Sequence, residues 1–242
     1  MNKISPIFFD KISCKISPDM RAHAECSTAT SWHKITGAVR ISSNELFAVL
    51  IATSFAAGLN VYATVATLGI LAHAGVIPLP PALHILSSWY VIACSAILFL
   101  MEFFADKFPV FDLLWNALHT FVRVPVAALL AYAATSQLSP GLQLLATLLG
   151  GAIALIAHGG KTAVRAAVTP YPEPFSNITL SLGEDALAVF LTWFATRHPY
   201  LAATIALAFV LVILVLIRWV VRAFRSVFRR ARKEIDLLFS GV

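Results

Sequence analysis

Charged and polar side chains recur at helical spacing inside the apolar segments of this chain. Glu102 and Asp106 are four residues apart, and Asn116, His119 and Arg123 follow at spacings of three and four. Residues at these spacings share one face of an α-helix, where they can bind a charged solute, pass a proton or form ion pairs. Two further groups lie later in the chain: His158, Lys161 and Arg165, again at helical spacing, and Ser181, Glu184 and Asp185.

Arg123 is the most informative of these residues because it lies deep in an apolar run, residues 113–134. At about 1.5 Å per residue it is roughly 15 Å from the start of that run. An unpaired charge there costs at least about 2.5–3.5 kcal/mol, so Arg123 requires a polar interior and partners. Pro125 favours a kink beside it, and Glu184 is a candidate for its partner or for a proton carrier. Arg165, nearer a helix end, is expected to extend to water.

The composition indicates that lipid is the solvent for much of this chain. Apolar residues make up 59% of the 242 positions and charged residues 12%, whereas about a quarter of the residues of a soluble domain are charged. The net charge of +6 is concentrated, with seven of 18 Lys and Arg between Arg218 and Lys233. This distribution argues against nucleic acid and predicts a basic amphipathic helix on the anionic headgroups of the cytoplasmic leaflet.

Six apolar stretches are each near the ~20 residues that cross a bilayer, which predicts an all-α membrane protein of about six transmembrane helices. The loops predicted to lie outside contain a single Lys or Arg, Arg197, so both termini are predicted to be cytoplasmic. The chain then divides into a polar tail (1–44), a transmembrane domain (45–217) and the basic amphipathic helix (218–242). The stretches cover residues 46–75, 85–105, 113–134, 142–160, 178–195 and 200–217.

Two features of the apolar stretches are typical of transporters, and each has an alternative. The segment 70–75 resembles the segment 155–160, which suggests two inverted three-helix repeats, although short apolar matches also arise by chance. Asn60, with Gly58 before it, allows a break in the first helix whose freed backbone groups bind an ion or substrate. Close packing of small residues explains Gly58 equally well, and a single tilted helix is a third alternative.

Several of these segments together resemble a known family. The segments 55–62 (FAAGLNVY) and 102–112 (EFFADKFPVFD) are similar to a bacterial multi-pass membrane family known as domain of unknown function 4126. The second half of that family is matched by His158, Lys161, Arg165, Asn177, Ser181, Glu184 and Asp185. The resemblance covers about residues 46–195 and implies a bacterial inner-membrane protein, but it implies no activity, substrate or catalytic residue.

The leading hypothesis is a small secondary transporter or permease for an anionic solute or a lipid headgroup. It needs no resident cofactor or metal, and a homo-oligomer is an open alternative. The predicted substrate-binding residues are Arg123, His119, Asn116, Lys161, His158 and Asn60. The predicted ion-pairing or proton-coupling residues are Glu102, Asp106, Glu184 and Asp185.

Two other classes of function remain open from the sequence. The first is a membrane enzyme acting on lipid headgroups, with Mg²⁺ held by Glu102, Asp106, Asp112 and His119. No pattern of a known lipid-modifying enzyme accompanies these residues. The second is a structural or assembly factor, in which nearly balanced acids and bases form an ion-pair network that holds the helices together.

Overall fold

The computed structural model describes residues 42–105, 109–168 and 174–240, and it describes side chains in 42–105, 118–165 and 178–219 and at 222 and 225. This part of the chain is helical and contains no strand, which confirms the all-α fold class. Its helices are α1 (Ser43–Leu59), α2 (Val61–His73), a 3₁₀ helix (Pro81–Ser87), α3 (Trp89–Ala105), α4 (Pro109–Ala134), α5 (Pro140–Val168), α6 (Pro174–Arg197) and α7 (Pro199–Ser240).

Asn60 divides the first apolar stretch into two helices. Its extended backbone, with φ −148° and ψ 104°, ends α1 and begins α2. The side-chain Oδ1 accepts a hydrogen bond from the N–H of Ala63 at 2.9 Å, as an N-cap does, while the N–H of Asn60 donates to the carbonyl of Ala56. One residue therefore caps both helices, and the single tilted helix is excluded.

Helix α1 runs in the same direction as α5. A Cβ added to Gly150 would lie 3.0 Å from Ser54 Oγ, and one added to Gly58 would lie 2.5 Å from the carbonyl oxygen of Ala154. Later residues of α1 thus contact later residues of α5, as in parallel helices. The two helices pack closely because the residues at the contact are small. The helix break and the small-residue packing, predicted as alternatives for Gly58 and Asn60, are both present.

Helix α2 turns back beside α1. Leu68, late in α2, lines the same cavity as Glu45 at the start of α1, and so do the loop residues 76–80 that follow α2. The two helices therefore form a hairpin whose tip is Asn60. Arg197 lines this cavity as well, and we call this end of the bundle the Glu45 end.

The other helices alternate in direction around α1. Trp89, which begins α3, packs on His73 at the Glu45 end, with 4.7 Å between ring centroids. Helix α4 is antiparallel to α5, since Arg123 contacts His158 whereas Ala131 lies beside Gly150. Helix α6 returns to the Glu45 end and α7 leaves it again. We call the opposite end, towards which α3, α5 and α7 run, the basic end.

Within the described residues, three helical segments are long and apolar enough to cross a membrane: 140–165, 178–197 and 199–219. A fourth is added if the 3₁₀ helix and α3, bent by 64°, count as one span. Helices α1 and α2 and the segment 118–134 of α4 are apolar but shorter. The membrane class is therefore supported, while six crossings and an inverted repeat remain predictions.

Helices α4 and α7 are continuous at Pro125 and at the boundary between residues 217 and 218. Helix α4 continues through Pro125 to Ala134, so the proline does not end it. Helix α7 is continuous over 42 residues, so no break marks the predicted boundary between residues 217 and 218. The basic segment, with exposed Arg218, Arg222 and Arg225, therefore continues the last span as the same helix.

Candidate functional site

Arg123 lies in the interior of the bundle, near the tip of the α1–α2 hairpin. Its side chain is fully buried. Nη2 donates to the Glu102 carboxylate from α3, and Nη1 lies 2.8 Å from Nδ1 of His158 on α5. The guanidinium thus has the internal partners that its depth in the apolar run required, and its carboxylate partner is Glu102 rather than Glu184.

The contacts of His158 fix its tautomer. A guanidinium can only donate hydrogen bonds, so Nδ1 of His158 must accept from Arg123. The ring proton is then on Nε2, which lies 2.7 Å from the hydroxyl oxygen of Thr120 and donates to it. His158 is therefore a neutral imidazole in this arrangement, and it adds no charge to the site.

Lys161 connects three helices through its ammonium group. Nζ lies 3.2 Å from the carbonyl oxygen of Leu59, 3.4 Å from Glu102 Oε1 and 3.4 Å from Glu184 Oε2. In an unbroken helix the Leu59 carbonyl would accept from the N–H of Ala63, but that N–H is bound by Asn60. The break therefore frees the carbonyl that Lys161 binds.

Glu184 and Asp185, although adjacent, bind different partners, as their divergence of about 100° around a helix requires. Arg165 donates to Glu184 Oε2 from Nη2 at 2.6 Å and from Nε at 3.2 Å. Asp185 Oδ1 accepts from Asn60 Nδ2 at 2.8 Å, which ties the hairpin tip to α6. The expectation that Arg165 extends to water is wrong, because its side chain is buried against Glu184.

The structure thus brings together seven predicted residues from four helices and the tip of the α1–α2 hairpin: Asn60, Glu102, Arg123, His158, Lys161, Glu184 and Asp185. We call these residues, with Arg165, the charge network. His119 is buried and meets the Tyr62 hydroxyl at 3.0 Å. The side chain of Asn116 and the whole of Asp106 lie outside the described residues, so the roles of these two residues stay predictions.

Three residues that contact this region had not been predicted as site residues. Arg165 is four positions after Lys161 on α5, and this spacing was a usable signal. Thr120 directly follows His119, but threonines are common in apolar runs, so the sequence did not indicate that Thr120 is a partner of His158. Tyr62 follows Asn60 closely, and only the bend of the hairpin directs it to His119.

The charge network balances its charges internally. With its carboxylates ionised it holds three negative groups, Glu102, Glu184 and Asp185, and three positive ones, Arg123, Lys161 and Arg165. Balance reduces the cost of burial, but removing one member leaves an uncompensated charge. Glu102 Oε2 is buried with no hydrogen-bond partner among the side chains that the structure describes, so this carboxylate retains capacity to bind a proton or a donor.

A metal site finds no support in the described part of the chain. Its His, Cys, Asp and Glu side chains form no group of three placed to hold a metal ion. The Mg²⁺ set predicted for an enzyme includes Asp106 and Asp112, whose side chains are not among those described. That ligand set therefore stays a prediction.

A comparison with known proteins places the chain in a family. A family model described as Domain of unknown function (DUF4126) matches residues 47–219. The chain belongs to this family. The match includes every member of the charge network, so the candidate site lies within the DUF4126 region. No curated protein and no solved structure matches the chain.

Proposed function

We propose that this DUF4126 protein is a membrane transporter for an anionic solute and that the charge network is its binding site. The observation that carries the proposal is the hairpin tip: a helix broken at Asn60 presents a freed carbonyl and a cap residue to charged groups from α5 and α6. Interrupted helices with charged partners at membrane depth are the usual construction of solute sites in secondary transporters.

The contacts of Glu102 supply a mechanism for anion binding. Its Oε1 accepts from both Arg123 and Lys161, so in this state Glu102 acts as an internal anion. Protonation of Glu102 would remove the charge that holds both cations, and a solute anion would then take its place. Proton binding and anion binding are coupled in this scheme.

Proteoliposomes test the proposal. Vesicles containing a pH-sensitive dye would be exposed to inorganic phosphate, glycerol 3-phosphate or a monocarboxylate, and we expect at least one of these anions to enter together with protons. The double variant Glu102→Gln/Arg123→Gln, which keeps the net charge, should reduce that flux at least tenfold. Arg222→Gln, an exposed arginine on α7, should retain it.

Two outcomes would contradict this proposal. One is equal flux from the wild type and the double variant when both elute as folded protein. The other is flux no greater than that of protein-free vesicles for all three anions.

The balanced charges of the network support a second candidate, a structural membrane component in which ion pairs only fix the helices. Replacing a buried ion pair by apolar residues of similar volume is often neutral or stabilising. Glu102→Met/Arg123→Met should then preserve both stability and the cellular role of the protein. In a transporter the same variant folds but is inactive.

The location of the protein follows from the same proposal. We place it in the bacterial inner membrane with the basic end at the cytoplasmic face, where Arg218, Arg222 and Arg225 meet anionic headgroups. The start of α1 is then at the opposite face, since α1 begins at the Glu45 end. In this arrangement the α1–α2 hairpin enters the membrane from the outer face and returns to that face. We also propose that the protein can form a homo-oligomer.

A further inference from the structure

An apolar cavity opens between α1, α2 and α4 at the Glu45 end. Its volume is about 390 Å³, within the roughly 300–1,000 Å³ of typical small-molecule sites. Glu45 and Arg197 are its charged lining residues, while the walls are mainly aliphatic. The hydroxyl of Thr53 in the wall donates to the carbonyl of Val49 on its own helix. The cavity therefore suits hydrocarbon better than a hydrated ion.

The floor of the cavity is a thin apolar layer. Ala57 and Ala127 line the cavity, and both belong to a fully buried cluster with Val61 and Ala154. We call these four residues the apolar seal. Three of the four are alanines, and the partly buried Tyr62, Val65 and Val126 pack against them.

The charge network begins directly beyond the apolar seal. Arg123 is four residues before Ala127 on α4, and His158 is four residues after Ala154 on α5. Four residues are about one helical turn, or roughly 5.4 Å along the axis. Arg123 and His158 are therefore polar groups that lie about one helical turn beyond the seal on α4 and α5.

We infer that the cavity binds the hydrocarbon part of an amphiphilic anion, a phosphate or carboxylate with an apolar chain, whose head reaches Arg123 past the apolar seal. This rests on the proposed function, which it extends by naming the class of solute. Nη1 of Arg123 is held by a neutral nitrogen of His158. Once Glu102 is protonated, an anionic oxygen beside Arg123 would add an attraction between opposite charges that this neutral nitrogen lacks, so the anionic head can displace it.

Thermal unfolding of the protein in nanodiscs tests the inference without any transport assay. The probes are octyl phosphate, octyltrimethylammonium, octanol and inorganic phosphate, each below its micellar concentration. Octyl phosphate should raise Tm by about 2–4 °C, and the other three should raise it by less than half as much. This pattern requires both the chain and the negative head.

Two tryptophan variants on α4 locate the binding. Leu130→Trp places a large ring in the cavity wall and should abolish the octyl phosphate shift. Leu129→Trp, at the neighbouring exposed position, should retain it. Glu102→Gln/Arg123→Gln should reduce the shift to that of octanol, and if this variant does not fold, the Leu130→Trp comparison still decides.

Equal shifts for octyl phosphate and octanol, or for octyl phosphate and octyltrimethylammonium, would overturn the inference. An undiminished shift in Leu130→Trp would do so as well. Binding as expected together with absent anion flux would refute transport while leaving the amphiphile site in place, so the two proposals fail separately.

Discussion

Lys161 is the residue on which the hairpin tip depends most directly. Its ammonium has three donors, and the acceptors close to it include the Leu59 carbonyl and the carboxylates of Glu102 and Glu184. A carbonyl at a broken helix with two carboxylates is an arrangement that binds a free cation in other membrane proteins. Here the cation is covalently attached to α5.

Removing the Lys161 ammonium should therefore create a binding site for a free alkylammonium ion. Lys161→Ala leaves two buried carboxylates without their shared cation, and we expect a loss of about 3–5 kcal/mol in the free energy of unfolding. Ethylammonium or propylammonium chloride should restore part of the lost Tm, because these ions supply N–H donors in the vacated volume. Tetramethylammonium has no donor, and an equal recovery with it would refute the prediction.

The sequence was sufficient to predict that Arg123 is buried with partners, because the cost of a charge in hydrocarbon does not depend on the fold. It could not decide between Glu102 and Glu184 as the partner, since that choice depends on how α3, α4 and α6 are rotated relative to one another. The burial of Arg165 was missed for a related reason. Distance from a helix end indicates reach to water, but a carboxylate on another helix is invisible to that argument.

Among the elements, the α1–α2 hairpin differs most from what the sequence indicated. The polar Asn60 marked a possible break, but the apolar pattern is the same whether α2 continues across the membrane or turns back. The structure gives the two helices lengths of 17 and 13 residues. Each is short of the ~20 residues that span a bilayer, and the closeness of Gly58 to Ala154 then fixes α1 against α5.

Substitutions of Asn60 should separate its two roles. Asn60→Ala removes both the cap of α2, which is typically worth about 1 kcal/mol, and the donor to Asp185, which adds about 1–3 kcal/mol for an unsatisfied buried acceptor. Asn60→Ser retains a capping oxygen and loses only the donor. In detergent unfolding we expect the order wild type, Ser, Ala, and equal stability of Ser and Ala would show that the cap contributes nothing.

At the scale of the whole molecule, the hairpin changes which helix ends lie at the same end of the bundle. Ser43 at the start of α1 and the loop between α4 and α5 lie towards the same end, whereas α7 runs to the other. An N-terminal helix that crosses once, as the sequence predicted, would place them on opposite faces. The distribution of Lys and Arg in the loops could not reveal that α2 turns back, because no charged loop joins α1 and α2.

Cysteine labelling distinguishes these topologies. In a background in which Cys14, Cys26 and Cys94 are replaced, an impermeant thiol reagent added outside spheroplasts should label both Ser43→Cys and Gln137→Cys. Arg222→Cys should react only after the membrane is permeabilised. If Ser43→Cys is protected while Gln137→Cys reacts, the first apolar stretch crosses the membrane once, as the sequence predicted. The hairpin would then not return to the face from which it enters.

Helix α7 is much longer than the hydrocarbon core of a bilayer is thick. Its 42 residues, at about 1.5 Å each, make a rod of about 63 Å, roughly twice the ~30 Å thickness of the hydrocarbon core. Ile213 of this rod packs directly on Gly160, the residue beside Lys161. One continuous helix therefore links this contact in the bundle to a helix end that lies tens of ångströms away.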